Sequence, residues 1–191
     1  MKIAIIQGHP DPAGGHFCHA LADAYANGAR GSGYEVRTLD VAKLKFPLLQ
    51  TKEDFERGAP PLDIKGAQDV IAWADHILIV YPLWLGEMPA IAKGFLEQVM
   101  RPGFAYAAES ARLKPQLRGK SARVIVTMGM PAVVYRWYFR AHGLKSLRRN
   151  ILAFVGFKPV RSTLVGSIEA QSAEQRQAWL DTAAWLGAKA Q

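Results

Sequence analysis

The chain has 191 residues, half of them hydrophobic, and a formal net charge of +8 at pH 7. A chain of this size buries a core without disulfides or structural metals, and its single cysteine, Cys18, excludes an intrachain disulfide. No apolar run approaches the roughly 18 residues that a membrane-spanning helix needs. No CxxC or HExxH metal motif occurs. We therefore expect one cytoplasmic domain over residues 1–191, without a membrane span or a metal site.

The excess positive charge points to an anionic ligand. Cationic residues are scattered, and the densest group lies between Arg136 and Arg149. No helix-turn-helix, RNP aromatic pair or zinc finger accompanies them, so nucleic acid is disfavoured. A small anionic ligand is the favoured interpretation.

Apolar runs predict five β-strands along the chain, and segments with helical spacing separate them. The strands are Ile3 to Gln7, Tyr34 to Asp40, Ile77 to Pro82, Arg123 to Met128 and Val160 to Val165. The helices include Phe17 to Ala29, one with Ile91, Phe95 and Val99 at intervals of four, and Ala173 to Ala190.

Alternation of strands and helices predicts an α/β fold with a parallel sheet, built from right-handed crossovers. Five strands favour the flavodoxin-like, doubly wound order 2-1-3-4-5, with helices on both faces. In such a sheet the ligand crevice lies outside the carboxyl ends of the strands, where the winding reverses. The loops after Gln7, Pro82 and Met128 are therefore the candidate site.

The first loop lies in the stretch "QGHPDPAGGHFCHAL". Gly14 and Gly15 permit positive φ angles, and a helix is predicted to begin at about His16. Amide groups at a helix start and the helix dipole favour an anion, so the loop is a candidate phosphate cradle. The Walker A and GxGxxG patterns are absent.

The second loop, in "YPLWLGEMPA", places a large aromatic side chain where a short polar turn would suffice. Pro82 ends the strand, Gly86 permits a close turn, and Pro89 suits the first turn of the next helix. Trp84 either contacts a flat aromatic ligand or caps the core.

The third loop, "TMGMP", leads into one predicted aromatic helix that contains Tyr135, Tyr138 and His142. For Trp137 and Tyr138 we favour packing in the core. For Tyr135 and His142 two interpretations stay open: packing, or stabilisation of negative charge on a bound ring.

Together these motifs resemble the flavodoxin-like NAD(P)H:quinone oxidoreductase family over nearly the whole chain. The resemblance rests on "AIIQGHP", "YPLWLGEMPAIAKGFLEQV", "RPGFAY" and the aromatic segment ending at His142. It implies a homodimer that binds FAD or FMN, takes hydride from NAD(P)H as co-substrate and passes it to a quinone-like small acceptor.

By position, the resemblance implies two catalytic residues that stabilise the reduced flavin, Tyr135 and His142. It also implies a set of flavin-binding residues: His9, His16, Phe17, Cys18, Pro82, Leu83, Trp84, Leu85, Thr127, Gly129 and Met130. The sequence departs from the family at two places. The loop carries Pro12-Ala13-Gly14-Gly15-His16 where relatives usually have a hydroxyl residue near the helix start, and Met128-Gly129-Met130 replaces Thr-Gly-Gly.

Two alternatives share the fold. A flavodoxin-type electron carrier is expected to have an acidic docking surface and a phosphate loop rich in Thr and Ser, in contrast to the charge of +8. An ancillary regulatory flavoprotein of a potassium efflux transporter would dock through a basic surface between Leu144 and Arg149.

The aromatic residues between Tyr135 and Phe139 predict a dimer interface.

Overall fold

A computed structural model describes residues 1–109 and 112–191. Its five-stranded parallel sheet comprises β1 (Lys2–Gln7), β2 (Glu35–Asp40), β3 (His76–Pro82), β6 (Ser121–Thr127) and β7 (Val160–Val165). The strand order is β2-β1-β3-β6-β7. Because β6 and β7 are the fourth and fifth strands of this sheet, the observed order is the predicted order 2-1-3-4-5. The predicted fold class is confirmed.

The central strands are buried on both faces, as their continuous apolar sequences predict. Every residue of β3 is buried, and β1 and β6 are buried after their first residues. Two separate hydrophobic clusters cover the two faces of the sheet.

Helices α1 (Phe17–Gly31) and α6 (Ala173–Ala188) pack together over one face. Their contact is close because both helices present glycine. A Cβ atom at Gly28 would lie 1.9 Å from the Ala184 carbonyl oxygen, and one at Gly187 would lie 2.0 Å from the Tyr25 carbonyl oxygen. The first turn of α6 is fixed by a capping box between Ser172 and Gln175.

The other face is covered by α3 (Leu62–Trp73), α4 (Ala90–Val99) and the helical region that precedes β7. This region contains wide π-helical turns at Val134–Tyr138 and Leu147–Ala153, with the short helix α5 (His142–Ser146) between them. A further short helix, α2 (Lys52–Arg57), follows β2.

An antiparallel hairpin of β4 (Tyr106–Glu109) and β5 (Arg112–Pro115) precedes β6 and lies outside the main sheet. The sequence reasoning did not predict it. No helix within the described ranges is long and apolar enough to cross a membrane.

Candidate active site

The loops after β1, β3 and β6 lie side by side at the carboxyl edge of the sheet. The Gly8 amide donates to the Val80 carbonyl oxygen at 2.7 Å. The Leu83 amide donates to the Thr127 carbonyl oxygen, also at 2.7 Å. The topology therefore brings together the three loops that the sequence singled out.

The loop after β1 is held by a series of local hydrogen bonds. The His9 amide donates to Gln7 Oε1 at 3.1 Å, and the Asp11 amide donates to His9 Nδ1 at 3.2 Å. Asp11 Oδ1 accepts from the Ala13 amide at 2.9 Å, and its Oδ2 pairs with His16 Nε2 at 2.8 Å. These bonds lower the pKa of the Asp11 carboxyl group, with the His16 contact as the main cause. These local bonds hold the loop in one conformation.

Three histidine rings gather at this loop. The His9 ring stacks on His16 with centroids 3.9 Å apart, and His19 lies 5.2 Å from His9 and 5.7 Å from His16. Burial, followed by the charges of His16 and His19, lowers the pKa of His9 to about 4. Because Nδ1 of His9 accepts a hydrogen bond, the neutral ring carries its proton on Nε2 and can donate there.

The start of α1 offers unpaired donors beside these rings. The cap residue His16 makes no side-chain capping bond, and the first turn contains no acidic residue. The amides of Phe17 and Cys18 belong to the first turn, where a helix has no carbonyl partners for its amides. Both ring nitrogens of His19 are inaccessible to solvent and have no hydrogen-bond partner among the described residues. The free amides at the helix start, together with His9 Nε2, fit a phosphate group.

Two predicted flavin-binding residues lie beneath the loops. Cys18 Sγ is 3.0 Å from Thr127 Oγ1, and both side chains are buried. Burial raises the pKa of the Cys18 thiol to about 11, since the charged form would lose solvation. These two residues can therefore meet a ligand only through their backbone groups.

Phe17 is partly buried against the core beneath α1, and the Arg176 guanidinium lies 5.6 Å from its ring. At the loop after β6, Gly129 is exposed and Met130 is partly buried against the core on the other face of the sheet. The Met130 carbonyl oxygen accepts from the Ser167 amide at 3.0 Å, which fixes the end of this loop.

The loop after β3 forms a tight turn. Pro82 is buried as the last residue of β3, and the partly buried Leu83 leads into the turn. Trp84 and Glu87 exchange two backbone hydrogen bonds of 2.9 and 3.0 Å.

The two central residues of the turn, Leu85 and Gly86, have φ angles of 49° and 83°. Positive φ at both positions is typical of a type I′ turn, and it strains a leucine. Trp84 is 53% exposed and Leu85 is fully exposed. Strain and exposure at an apolar residue indicate a functional surface.

Tyr135 joins this turn to α5. Its side chain is buried, and its hydroxyl oxygen accepts from the Leu144 amide at 3.2 Å. The hydroxyl group donates to the Gly86 carbonyl oxygen at 3.4 Å. Burial raises the pKa of the Tyr135 phenol, so it stays protonated near neutral pH.

His142 is exposed at the first residue of α5. The next residue, Gly143, packs directly on the turn, because a Cβ atom there would lie 2.5 Å from the Gly86 carbonyl oxygen. The structure thus joins Tyr135 to Gly86 by a hydrogen bond and places His142 next to Gly143, which contacts the same residue. Their catalytic role stays a prediction.

Comparisons with known proteins agree with this fold. The family model for the flavodoxin-like fold matches residues 1–186. An uncharacterized NAD(P)H oxidoreductase of Haemophilus influenzae is 30% identical over 188 residues, which covers 96% of this chain and 93% of the relative. The chain belongs to the flavodoxin-like NAD(P)H:quinone oxidoreductase family.

Two further relatives support the assignment. A solved structure from Streptococcus mutans is 30% identical with a TM-score of 0.81, and the match covers 99% of this chain and 100% of that one. Ribosyldihydronicotinamide dehydrogenase (quinone) of Pongo abelii is 30% identical over 142 residues. That match covers 72% of this chain and 60% of the relative's own length. The predicted family and the predicted class of activity, an NAD(P)H oxidoreductase enzyme, are confirmed.

The prediction of one aromatic helix that contains Tyr135, Tyr138 and His142 is wrong. Arg140 and Ala141 have φ angles of 55° and 48°, which break the helix between Tyr138 and His142. Tyr135 and His142 therefore do not follow one another on the same helix, and contact with the turn at Gly86 decides their positions. Two consecutive left-handed residues other than glycine are characteristic of a constrained site.

The predicted packing of Trp137 and Tyr138 in the core is also wrong for the single chain. Trp137 is 75% exposed and Tyr138 is 79% exposed, whereas the neighbouring Tyr135 is buried. The wide helical turn directs these side chains away from the sheet.

Sequence reasoning missed His19 and Gly143 as parts of the site. His19 follows His16 by three residues at the start of a helix, and this spacing places both on one face. No local pattern marks Gly143, because its role depends on a turn 57 residues earlier in the chain.

Proposed function

We propose that the chain binds FAD or FMN at the carboxyl edge of its sheet and passes hydride from NAD(P)H to a quinone or similar small acceptor. The observation that carries the proposal is the uncapped start of α1, with its three histidines, beside the strained turn at Leu85. The start of α1 fits a phosphate group, and the turn at Leu85 fits an apolar ring. The bound flavin supplies the hydride chemistry.

The phosphate end of the site depends on backbone amides and histidine rings. His9 Nε2 and the amides of Phe17 and Cys18 would hold the flavin phosphate, with the exposed His16 ring beside it. Because Asp11 already orients His16, little side-chain freedom is lost on binding.

The ring end depends on the turn and the loop after β6. Pro82 to Leu85 would lie against the ring, and Thr127, Gly129 and Met130 would lie along its polar edge. Tyr135 holds the turn in place through Gly86. His142, exposed next to this turn, would donate or accept a proton at its imidazole ring.

The exposed aromatic surface supports a homodimer. We define this surface as the exposed apolar side chains of the turn and of the helical segment after β6: Trp84, Leu85, Val133, Val134, Trp137, Tyr138 and Phe139. The Tyr135 to Gly86 hydrogen bond brings the two segments together. Clustered exposed aromatics are typical of the centre of an interface.

A second copy of the chain on this surface would cover the open side of the site. A cytoplasmic location belongs to the same proposal, because NAD(P)H is supplied inside the cell.

The absorption spectrum of the purified full chain tests cofactor binding, and extraction identifies FAD or FMN. Steady-state oxidation of NADH and of NADPH with a soluble quinone then tests the reaction. We expect flavin absorption and parallel lines in double-reciprocal plots, because one crevice serves donor and acceptor in turn. Absence of flavin after reconstitution would rule the proposal out. A stable one-electron-reduced form would favour an electron carrier.

Sedimentation of the flavin-loaded protein tests the dimer. A monomer at micromolar concentration with flavin bound would contradict a shared site. Trp137→Glu places a charge on the aromatic surface and should shift the protein to monomers, whereas Trp185→Glu, at an exposed residue on α6, should not.

A further inference from the structure

A second concave site lies at the opposite edge of the sheet. A cavity of about 920 Å³ opens between the segment before β6, the helical region after α5 and the start of β7. We call it the basic cleft, since five of its lining side chains are cationic: Arg118, Lys145, Arg148, Arg149 and Lys158. None of the described lining residues is acidic.

This cleft is separate from the flavin edge. Gly119 lines it just before β6 begins, whereas the proposed flavin loops follow the end of β6 at Thr127. Seven residues of strand span about 20 Å, so the two sites lie at opposite ends of the same strands.

The backbone that carries the cations is fixed. The Leu117 amide donates to the Val155 carbonyl oxygen at 3.0 Å, and the Lys158 amide donates to the Lys120 carbonyl oxygen at 2.8 Å. Gly156, with a φ angle of 117°, lets the chain pass so close that a Cβ atom there would lie 2.8 Å from the Arg118 amide nitrogen. Arg118 and Lys158 therefore project from two joined loops.

Within the described part of the chain, no carboxylate pairs with the cations of the cleft. The ion pairs found there involve other basic residues, such as Lys65 and Lys93. Arg148 donates to the Val160 carbonyl oxygen at 2.9 Å, and its buried Nε atom has no partner among the described residues. Lys120 is near in sequence but does not line the cleft. Its ammonium group donates to the carbonyl oxygens of Ala72 and Ala74.

A neighbouring cavity of about 470 Å³ extends the same positive surface. It shares Lys145 and Arg148 with the basic cleft and adds Arg136 and Arg140. No acidic residue lines it within the described part of the chain. Like charges repel, so an arrangement of this kind costs stability unless an anion neutralises it.

We propose that the basic cleft binds a small molecule that carries two or more phosphate groups. Its volume suits a nucleotide-sized ligand, and its lining also includes the apolar residues Phe157, Pro115 and Ala153. Arginine and lysine beside apolar lining residues match several phosphates joined to an organic group. A concave site favours such a compact ligand over a flat membrane surface.

Calorimetric titration of the full chain, saturated with flavin, tests this proposal. The probes are inorganic tripolyphosphate and ADP. We expect one ligand per chain. The double variant Arg118→Gln/Lys158→Gln should weaken binding by about tenfold or more, because it removes two cations from the cleft.

The control Lys52→Gln/Arg57→Gln removes the same charge from α2 and should change the affinity by less than about twofold. Flavin content should be equal in all three proteins.

Four results would overturn the proposal. One is no saturable binding at about 1 mM ligand. The second is an equal loss of affinity in both double variants, which would indicate non-specific attraction. The third is displacement of the probe by excess flavin, which would place it at α1. The fourth is binding of phosphatidylglycerol vesicles that depends on Arg118 and Lys158 while tripolyphosphate does not bind.

Discussion

Gly143 lies so close to Gly86 that a Cβ atom at position 143 would stand 2.5 Å from the Gly86 carbonyl oxygen. The same Gly86 oxygen accepts the Tyr135 hydroxyl group. Two parts of the chain, the turn after β3 and the start of α5, are thus joined at one carbonyl group. The positions of Trp84, Leu85 and His142 all depend on this contact.

The first prediction is that Gly143→Ala destabilises the protein. The new methyl group meets the Gly86 carbonyl oxygen, a backbone atom that cannot rotate away, and the Glu87 carboxylate, so the free energy of unfolding should fall by about 1–3 kcal/mol. Gly66→Ala is the control, because Gly66 is exposed within α3 with open space around it, and this change should stabilise by up to about 1 kcal/mol. Urea denaturation measures both. Equal stability of Gly143→Ala and the wild type would contradict the close contact.

Tyr135→Phe should both destabilise the protein and slow reduction of the flavin by NAD(P)H. The Leu144 amide and the Gly86 carbonyl group lose their partner, at a cost of about 1–3 kcal/mol. Tyr138→Phe is the control, since the Tyr138 side chain is exposed. Denaturation and stopped-flow reduction at saturating donor give the two readouts. Reduction at the wild-type rate would remove the catalytic role of Tyr135 and leave only its role in positioning the turn.

His142→Ala should slow reduction of the flavin by about 10²-fold, the usual contribution of a positioned proton donor. Flavin content should stay unchanged, because His142 is exposed at α5 and distant in sequence from the phosphate loop. The rate comes from stopped-flow absorbance and the content from the spectrum of the purified variant. An unchanged rate would show that the loop backbones alone tune the flavin.

His9→Ala should weaken the binding of flavin, whereas His142→Ala should slow its reduction. His9→Ala removes a donor at Nε2, and a hydrogen bond to a charged group contributes about 1.5–3 kcal/mol, so the affinity for flavin should fall roughly ten- to hundredfold. Fluorescence titration of the flavin-free protein measures this affinity. Affinity within about twofold of the wild type would place the phosphate away from the three histidines.

The stability of the protein should fall on acidification because of the buried His76. Burial, then the charges of Arg123 and Arg161, lowers the pKa of His76 from 6.5 to about 4. The unfolded chain therefore binds more protons than the folded protein between these values, and the contribution of His76 to stability is lost as the pH falls through that window.

This loss should be about 2 kcal/mol between about pH 7.5 and about pH 5. Urea denaturation of His76→Gln should show a pH dependence that is weaker by this amount. An identical pH dependence in both proteins would show that another group is responsible.

The sequence determined the strands and the outer helices, because these elements depend on local patterns. Strand β3 contains a continuous apolar run that follows the polar Asp75 and His76 and ends at Pro82, and Ser172 and Gln175 mark the start of α6 within four residues. Alternation of strands and helices then leaves few possible topologies. It places the loops after Gln7, Pro82 and Met128 at one edge of the sheet, as the structure confirms.

Only the tertiary structure decided how the residues of the site are used. Tyr135 is buried and Tyr138 is exposed although both are aromatic residues of one short segment, and a contact with Gly86, 49 residues away, makes the difference. The break at Arg140 and Ala141 is equally invisible in the sequence, since neither residue favours positive φ. Such strain persists only where packing elsewhere in the fold imposes it, and local patterns do not contain that information.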